Sequence, residues 1–467
     1  MEGSVGGKAI QEGVSEACGY DLEDMALPEG SVGDPNNPVF ARCIFPLPHT
    51  SEPGPVCSET DGKVFSPGRE VPIFHETDVV VVGGGAAGFS AAVGAARAGA
   101  RVALVEKDGS LGGLFTNGMV LIMLATSRKE ADGTWTFVTR GICREFADRA
   151  VALGPKVARG AVEGATNWQP TVDPEAAKYL MDTMIAEAGV EMFFHAYGVN
   201  VVREGNRVTG VVFQSKQGLQ AIRAKTVVDA TGDGDVAFAA GASYRQITHG
   251  IGFTVRLGNV DRITARRPPA DPGVGFDGFP NLWPLRSNEA NASTFWRGRL
   301  GPVGDGLLVR EVSKAEIAHR KYWWEFVSAM QKTAGWGEVY IANTCSQIGP
   351  RATRIIEADL VVDRALLGGT DGFADVIGWA GKDGLCPPMP IPYRALLPKG
   401  VENLLCAGRM LGAPDTIDSF RLIGPCFVTG QAAGVAAAVA VRHGCAPRAL
   451  PYDVLRAELV RQRVFLC

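Results

Sequence analysis

The chain has 467 residues, enough for two or three domains. Lys and Arg number 46 against 50 Asp and Glu, a formal net charge of −4, which excludes a nucleic-acid binder held by phosphate neutralisation. Hydrophobic content of 46% and charged content of 21% fit a globular enzyme and exclude a disordered chain.

Met1–Val5 offers no basic n-region and no apolar core, so no signal peptide is expected. The apolar run from Phe427 to Val441 is rich in Ala, Gly and Val and reads as a buried helix rather than a bilayer span. Ten cysteines are scattered without a CxxC pair, which argues against a structural zinc site and a disulfide framework. The expectation is a soluble, cytoplasmic protein with free thiols, no metal, no nucleic-acid partner and no membrane contact.

In chain order, residues 1–70 are proline- and glycine-rich and form an arm. Val64-Phe65 and Val71–Phe74 suggest a short hairpin. Asp78–Val82 is a β-branched run suited to a strand buried on both faces of a parallel sheet. An Ala-rich helix over Phe89–Ala98 and a second buried strand over Arg101–Val105 complete a βαβ unit. A helix is expected around Glu175–Ala188, with strands near Val190–Phe194, Gly198–Glu204, Arg207–Gln214 and Lys225–Ala230. Residues 246–340 hold five of the eight tryptophans and lose the βαβ rhythm, and βα patterning returns from Val401.

The strongest local signal is Gly83-Gly84-Gly85-Ala86-Ala87-Gly88, a GxGxxG between strand and helix. Gly83 permits the turn, Gly85 lets backbone approach a pyrophosphate, and Gly88 lets helix and strand pack closely. Glu106 ends the second strand, where it can accept from a ribose diol. Leu111-Gly112-Gly113, the Asp229–Asp235 turn, and Asn403–Arg409 followed by Thr429–Gly434 at the start of an Ala-rich helix are further glycine turns suited to a flavin dinucleotide.

These stretches, with Ile348–Arg354 and Ile391–Arg394, resemble the FAD-dependent oxidoreductases of the glutathione-reductase-like superfamily, over roughly residues 72–467. The resemblance implies a discontinuous, doubly wound Rossmann-like α/β domain that binds FAD, with a second α+β substrate or cap domain. The boundaries expected are 71–245 for the first FAD-binding part with a helical insert at about 136–172, 246–395 for the cap, and 396–467 for the second part. The implied FAD contacts are Gly83, Gly85, Ala86, Ala87, Gly88, Glu106, Lys107, Gly112, Gly113, Leu114, Val199, Ala230, Gly232, Asp233, Gly408, Arg409, Gln431 and Ala432. Ala86 stands where the family often has Pro, and the arm before residue 70 has no counterpart in it.

Flavin chemistry needs a substrate held against N5 and often a group for the coupled proton. Candidates are His249 in its Gly-rich stretch, Tyr393 as a proton donor, and Arg351 and Arg354, which would share a face on a helix and clamp a carboxylate. Arg421 faces substrate or flavin, and Cys426 is weighed as a redox thiol. Trp283, Trp296, Trp323, Trp324 and Trp336 are weighed as pocket walls against core packing.

Three readings stay open. The first is a dehydrogenase or oxidase of a small organic substrate, passing electrons to oxygen, a quinone or another acceptor. The second is a reductase of an activated double bond. The third is a non-catalytic dinucleotide-binding module whose arm engages a protein partner. Homo-oligomerisation also stays open.

Overall fold

The computed structural model describes residues 58–60, 63–65, 68, 70–155, 157–159, 168–264, 284–286, 292–297, 303–367, 372–381 and 387–466. The chain divides into two units, Met1–Pro48 and His49–Cys467, and the described residues all belong to the second. Most of the expected arm, with Trp283 and the side chain of Trp296, lies outside them. Ser58–Thr60 pairs with Lys63–Phe65 in a hairpin. The hairpin expected between Val64-Phe65 and Val71–Phe74 is therefore not formed: Ile73 already opens the first long strand.

The fold is built on that strand, β1 (Ile73–Val82). Its Val79–Val82 run is buried on both faces, each side chain worth roughly 1.5–3 kcal/mol of apolar burial. Helix α1 (Ala86–Arg97) returns the chain to the parallel strand β2 (Val102–Val105). Helices α2 (Ile142–Ala152) and α3 (Pro174–Ala188) follow, and α3 is capped by Asp173 at one end and by left-handed Gly189 at the other. Strand β3 (Glu191–Phe193) extends the sheet beyond β2.

Strands β4 (Tyr197–Glu204), β5 (Arg207–Ser215) and β6 (Gly218–Asp229) form an antiparallel meander. Strand β6 is longer than the expected Lys225–Ala230 because its first half completes the meander while its second half pairs parallel with β1. A short helix α4 (Asp235–Ala239) follows it. Strand β7 (His249–Gly258) then carries a separate antiparallel sheet, pairing with Ala292–Arg297, Tyr340–Thr344, Gly349–Pro350 and Val303–Gly304. Helix α5 (Val309–Gln331) packs Tyr322, Trp323, Phe326 and Met330 into a second hydrophobic core with Phe253, Val255 and Leu257 of β7.

Strand β8 (Leu404–Cys406) rejoins the main sheet, pairing parallel with the end of β6. Helix α6 (Ile423–Arg442) is buried from Ile423 to Ala440 and lies against α1, and α7 (Tyr452–Arg461) follows it. Among the described residues α6 is the one helix long and apolar enough to cross a membrane, and the fold buries its apolar stretch. The α1–α6 contact depends on missing side chains: a Cβ on Gly430 would stand 2.0 Å from the Ala87 carbonyl oxygen, and one on Gly434 1.9 Å from that of Ala91.

The division between the two cores differs from the expected cap boundary at 395. Ile377, Ala380, Met389, Ile391 and Tyr393 pack into the first core, and the second core ends at Ile348. In the expected insert at 136–172, α2 also belongs to the first core through Phe146, Ala147 and Ala150.

Candidate active site

A cleft opens at the carboxyl ends of β1, β2, β6 and β8, where an open parallel sheet offers its ligand crevice. The turn after β1 forms its floor. Gly83 has φ of 94°, and a Cβ on Gly88 would lie 1.6 Å from the Gly83 carbonyl oxygen, so helix and turn touch backbone to backbone. Gly85 is different, for a Cβ there would meet nothing within 4 Å. It is the N-cap of α1 with no side-chain cap, so the first-turn N–H groups of α1 face that open space. This is a cradle for a pyrophosphate.

Glu106 is almost fully buried at the end of β2. Its Oε2 accepts from the Gly84 N–H and its Oε1 from the Asp108 N–H at 2.8 Å. Burial nevertheless raises its carboxyl above the usual range. Each oxygen keeps a lone pair for a diol. Lys107 lines the cleft and pairs with Asp108 at 2.6 Å.

The turn after β6 is shaped by Asp229, which accepts from Thr231 N, Thr231 Oγ1 and Ala237 N. Burial pushes its carboxyl up to about 6. Asp233 then faces Arg409 Nη2 at 2.7 Å, while Arg409 Nη1 donates to Pro350 O at 2.7 Å. Thr353 Oγ1 donates to the same Asp233 carboxylate. Arg354 donates to Asp235 Oδ1 at 2.8 Å and stacks over Phe238 at 4.4 Å. Asp233 and Asp235 thus each take their own arginine rather than pairing with each other.

Leu114, Gln347, Arg421, Ile423 and Cys426 line the cleft where it meets the second core, for Leu114 lies under Gly349, the partner of Gly252 in β7. Arg421 Nε and Nη2 both donate to Asp418 Oδ1, at 2.8 and 2.5 Å. His249 Nε2 lies 3.6 Å from the same oxygen. The Gly250 N–H donates to His249 Nδ1 at 2.7 Å, so a neutral ring carries its proton on Nε2, toward Asp418. His249 and Arg421 hold the Asp418 carboxyl well below the usual range.

The structure gathers Gly83, Gly85, Ala86, Ala87, Glu106, Lys107, Gly112, Gly113, Leu114, Ala230, Gly232, Asp233, Gly408, Arg409 and Arg421 around one cleft. Other candidates lie elsewhere. Val199 is exposed on β4, and Ala196, Tyr197 and Gly198 line the cleft instead. Helix α6 begins at Ile423 rather than Thr429, so Gln431 and Ala432 sit two turns in, away from the cleft. Gln431 Oε1 accepts from the Ile142 N–H at the start of α2 at 2.9 Å.

Tyr393 is buried and donates to Pro447 O at 2.8 Å; burial drives its phenol far up, which removes it as a proton donor. Arg351 is buried behind the cleft, its N–H donating to Gly250 O at 3.3 Å. Arg351 lies on a bend and Arg354 opens a short strand, so they do not share a helix face. Trp323 and Trp336 pack in the second core and Trp324 is exposed, so none of the three walls the cleft. Burial pushes the Cys426 thiol up to about 12, and it is a free cysteine, which leaves no thiolate for redox exchange near neutrality. His249 stands one side chain behind the cleft wall. Asp418 escaped sequence reading, although its i,i+3 spacing from Arg421 on a short helical turn was there to find.

The model of the family described as FAD dependent oxidoreductase matches residues 78–459. The chain belongs to this FAD-dependent oxidoreductase family. The oxidoreductase is 26% identical over 265 residues to the thiamine thiazole synthase of Methanosarcina barkeri, covering 53% of this chain and 90% of that one. It is 56% identical over 49 residues to the dihydrolipoyl dehydrogenase of Trypanosoma brucei brucei, covering 10% of each. Among solved structures it resembles a geranylgeranyl bacteriochlorophyll reductase-like protein of Thermoplasma acidophilum, with a TM-score of 0.41, 15% identity and 84% of each chain covered. It also resembles the p-nitrophenol 4-monooxygenase PnpA of Pseudomonas putida, with a TM-score of 0.43, 14% identity, 84% of this chain and 86% of that one. The cradle at Gly85, the buried Glu106 and the uncapped start of α1 fit the pyrophosphate and ribose of the family's cofactor, FAD.

Proposed function

We propose that this flavoenzyme transfers hydride between a small organic substrate and flavin N5, acting as a dehydrogenase or oxidase. The observation that carries this reading is the chain from His249 through Asp418 to Arg421, which ends in the wall of the cleft beside the second core. When bound, FAD would supply the two-electron redox step; the protein supplies position and charge.

Arg421 holds a polar oxygen of the substrate by charge-assisted hydrogen bonds. Asp418 fixes the guanidinium and, held below the ordinary carboxylate range, stays charged and takes no proton itself. The His249 imidazole, its proton on Nε2, stands behind Asp418 and steadies it, so it positions Arg421 without touching the substrate. The test is anaerobic mixing of the yellow protein with a panel of alcohols, hydroxy acids and amines. Loss of the oxidised flavin absorbance supports the reading. If no substrate bleaches the flavin, and flavin reduced beforehand is reoxidised by an activated alkene, the enzyme runs as a reductase and the reading fails.

A further inference from the structure

A second concavity shares no lining residue with the dinucleotide cleft. It lies between the end of α1, the start of α2, α7 and the last described residues. Seven arginines line it against two acids, Glu145 and Asp148. Glu145 takes both Arg97 and Arg149, and Asp148 takes both oxygens' worth of contact from Arg144 Nε at 2.8 and 2.9 Å. From the rim, Glu187 reaches Arg149 and Glu458 pairs with Arg461.

Three guanidiniums remain without a carboxylate among the described residues. Arg140 donates to Phe137 O at 3.2 Å and lies over the Phe465 ring at 5.3 Å. Arg456 and Arg463 are exposed and carry no ion pair. The local excess of positive charge stands on a chain whose net charge is −4. The wall is also fixed in place: Gln462 Nε2 donates to Gly94 O of α1 at 3.0 Å, and Gln462 Oε1 accepts from Gln431 Nε2 of α6 at 3.2 Å.

We propose that this groove binds a polyphosphate anion, as inorganic polyphosphate or as the phosphate chain of a nucleotide. Guanidiniums from three helices, α1, α2 and α7, from the turn before α2 and from the C-terminal segment line a concavity rather than spreading over a flat face. Each presents parallel N–H donors matched to phosphate oxygens. The surplus of three charges suits a di- or triphosphate and exceeds what a monoanion can neutralise.

The test titrates tripolyphosphate, ATP and inorganic phosphate into the FAD-loaded protein by calorimetry at low salt, with the dinucleotide cradle already filled. Saturable binding of tripolyphosphate below about 1 mM, with inorganic phosphate at least about tenfold weaker, supports the site. Tighter binding of ATP than of tripolyphosphate assigns the ligand to a nucleotide, and the reverse to inorganic polyphosphate. The variant Arg140→Gln/Arg456→Gln/Arg463→Gln weakens binding at least about tenfold while flavin absorbance and Tm stay as in wild type. The control Arg310→Gln/Lys314→Gln, exposed on α5, leaves binding unchanged. Wild-type affinity in the triple variant, equal loss in the control, or a groove that retains only acidic polypeptide and no tripolyphosphate overturns the proposal.

Discussion

His249 Nε2 stands 3.6 Å from Oδ1 of Asp418, the same oxygen that accepts both hydrogen bonds from Arg421. The three side chains work as one unit, and their substitutions separate by the size of the KM effect. Arg421→Met removes the cleft-lining guanidinium and raises KM by about tenfold or more. His249→Ala removes the support behind Asp418 and raises KM by a smaller factor of about threefold, with kcat within about twofold. Steady-state kinetics of both variants checks this. A His249→Ala variant whose kcat falls about tenfold at unchanged KM would place the imidazole on the reacting atoms instead.

Gly88 and Gly85 look alike in the fingerprint and should behave differently. Gly88→Ala drives a Cβ into the Gly83 carbonyl oxygen at 1.6 Å, so the β1–α1 junction must open. The expected result is a loss of several kcal/mol of stability, or no folded protein, seen in thermal unfolding. Gly85→Ala meets nothing within 4 Å, so the cofactor-free protein keeps its Tm within about 1–2 °C. Its methyl group occupies the cradle, and FAD affinity falls at least about tenfold by flavin fluorescence titration.

The fold of the first core was legible because its signals are local. A β-branched run, a GxGxxG and an acid at the end of the next strand each carry their own steric reason. The active-site side was less legible because it depends on contacts distant in sequence. Thr429–Gly434 reads as a flavin-facing turn, yet Gly430 and Gly434 are small because α6 rests on the α1 backbone. Gln431 reads as a cofactor ligand, yet its amide caps α2, 289 residues earlier in the chain. A glycine that admits a ligand and one that admits a helix have the same letter. Only the register of α6 on α1 tells them apart.

Asp78, midway along β1, ties that strand to the residue before β2 and to the neighbouring β6. Its carboxylate accepts from Arg101 N and Nε, at 3.1 and 3.2 Å, and pairs with Lys225 Nζ at 2.9 Å. Burial raises its carboxyl, but the hydrogen bonds from Arg101 and Lys225 outweigh it and hold it at about 2. The folded value lies below the unfolded one of about 3.9, so the stabilisation is complete above that value and is lost as pH falls from about 4 through about 2. With solvent and salt screening the pair, Asp78→Asn costs about 1 kcal/mol at pH 7. Urea unfolding of wild type and variant at pH 7 and at pH 2 should show the gap closing in acid.

Tyr393 is the simplest case. Tyr393→Phe removes one buried hydrogen bond to Pro447 O and leaves the ring in the core. Stability falls by about 1 kcal/mol, the Pro447 carbonyl keeping its hydrogen bond from the Leu450 N–H, and kcat and its pH dependence do not change. A collapse in kcat at unchanged Tm would restore the phenol as a participant in catalysis.

Gln431 gives the sharpest contrast between a cofactor contact and a structural one. Its Oε1 satisfies the Ile142 N–H, and its Nε2 donates to the Gln462 side chain at 3.2 Å. Gln431→Leu fills the volume but leaves that first-turn N–H of α2 buried without an acceptor, a cost of about 1–3 kcal/mol. Helix α6 itself is unaffected, and the cleft wall at Ile423 and Cys426 stays in place. The expected outcome is a lowered Tm with a flavin dissociation constant within about threefold of wild type. A flavin affinity that falls more than tenfold while Tm holds would put Gln431 back on the cofactor, and with it the first turns of α6 would have to reach the cleft from a different register.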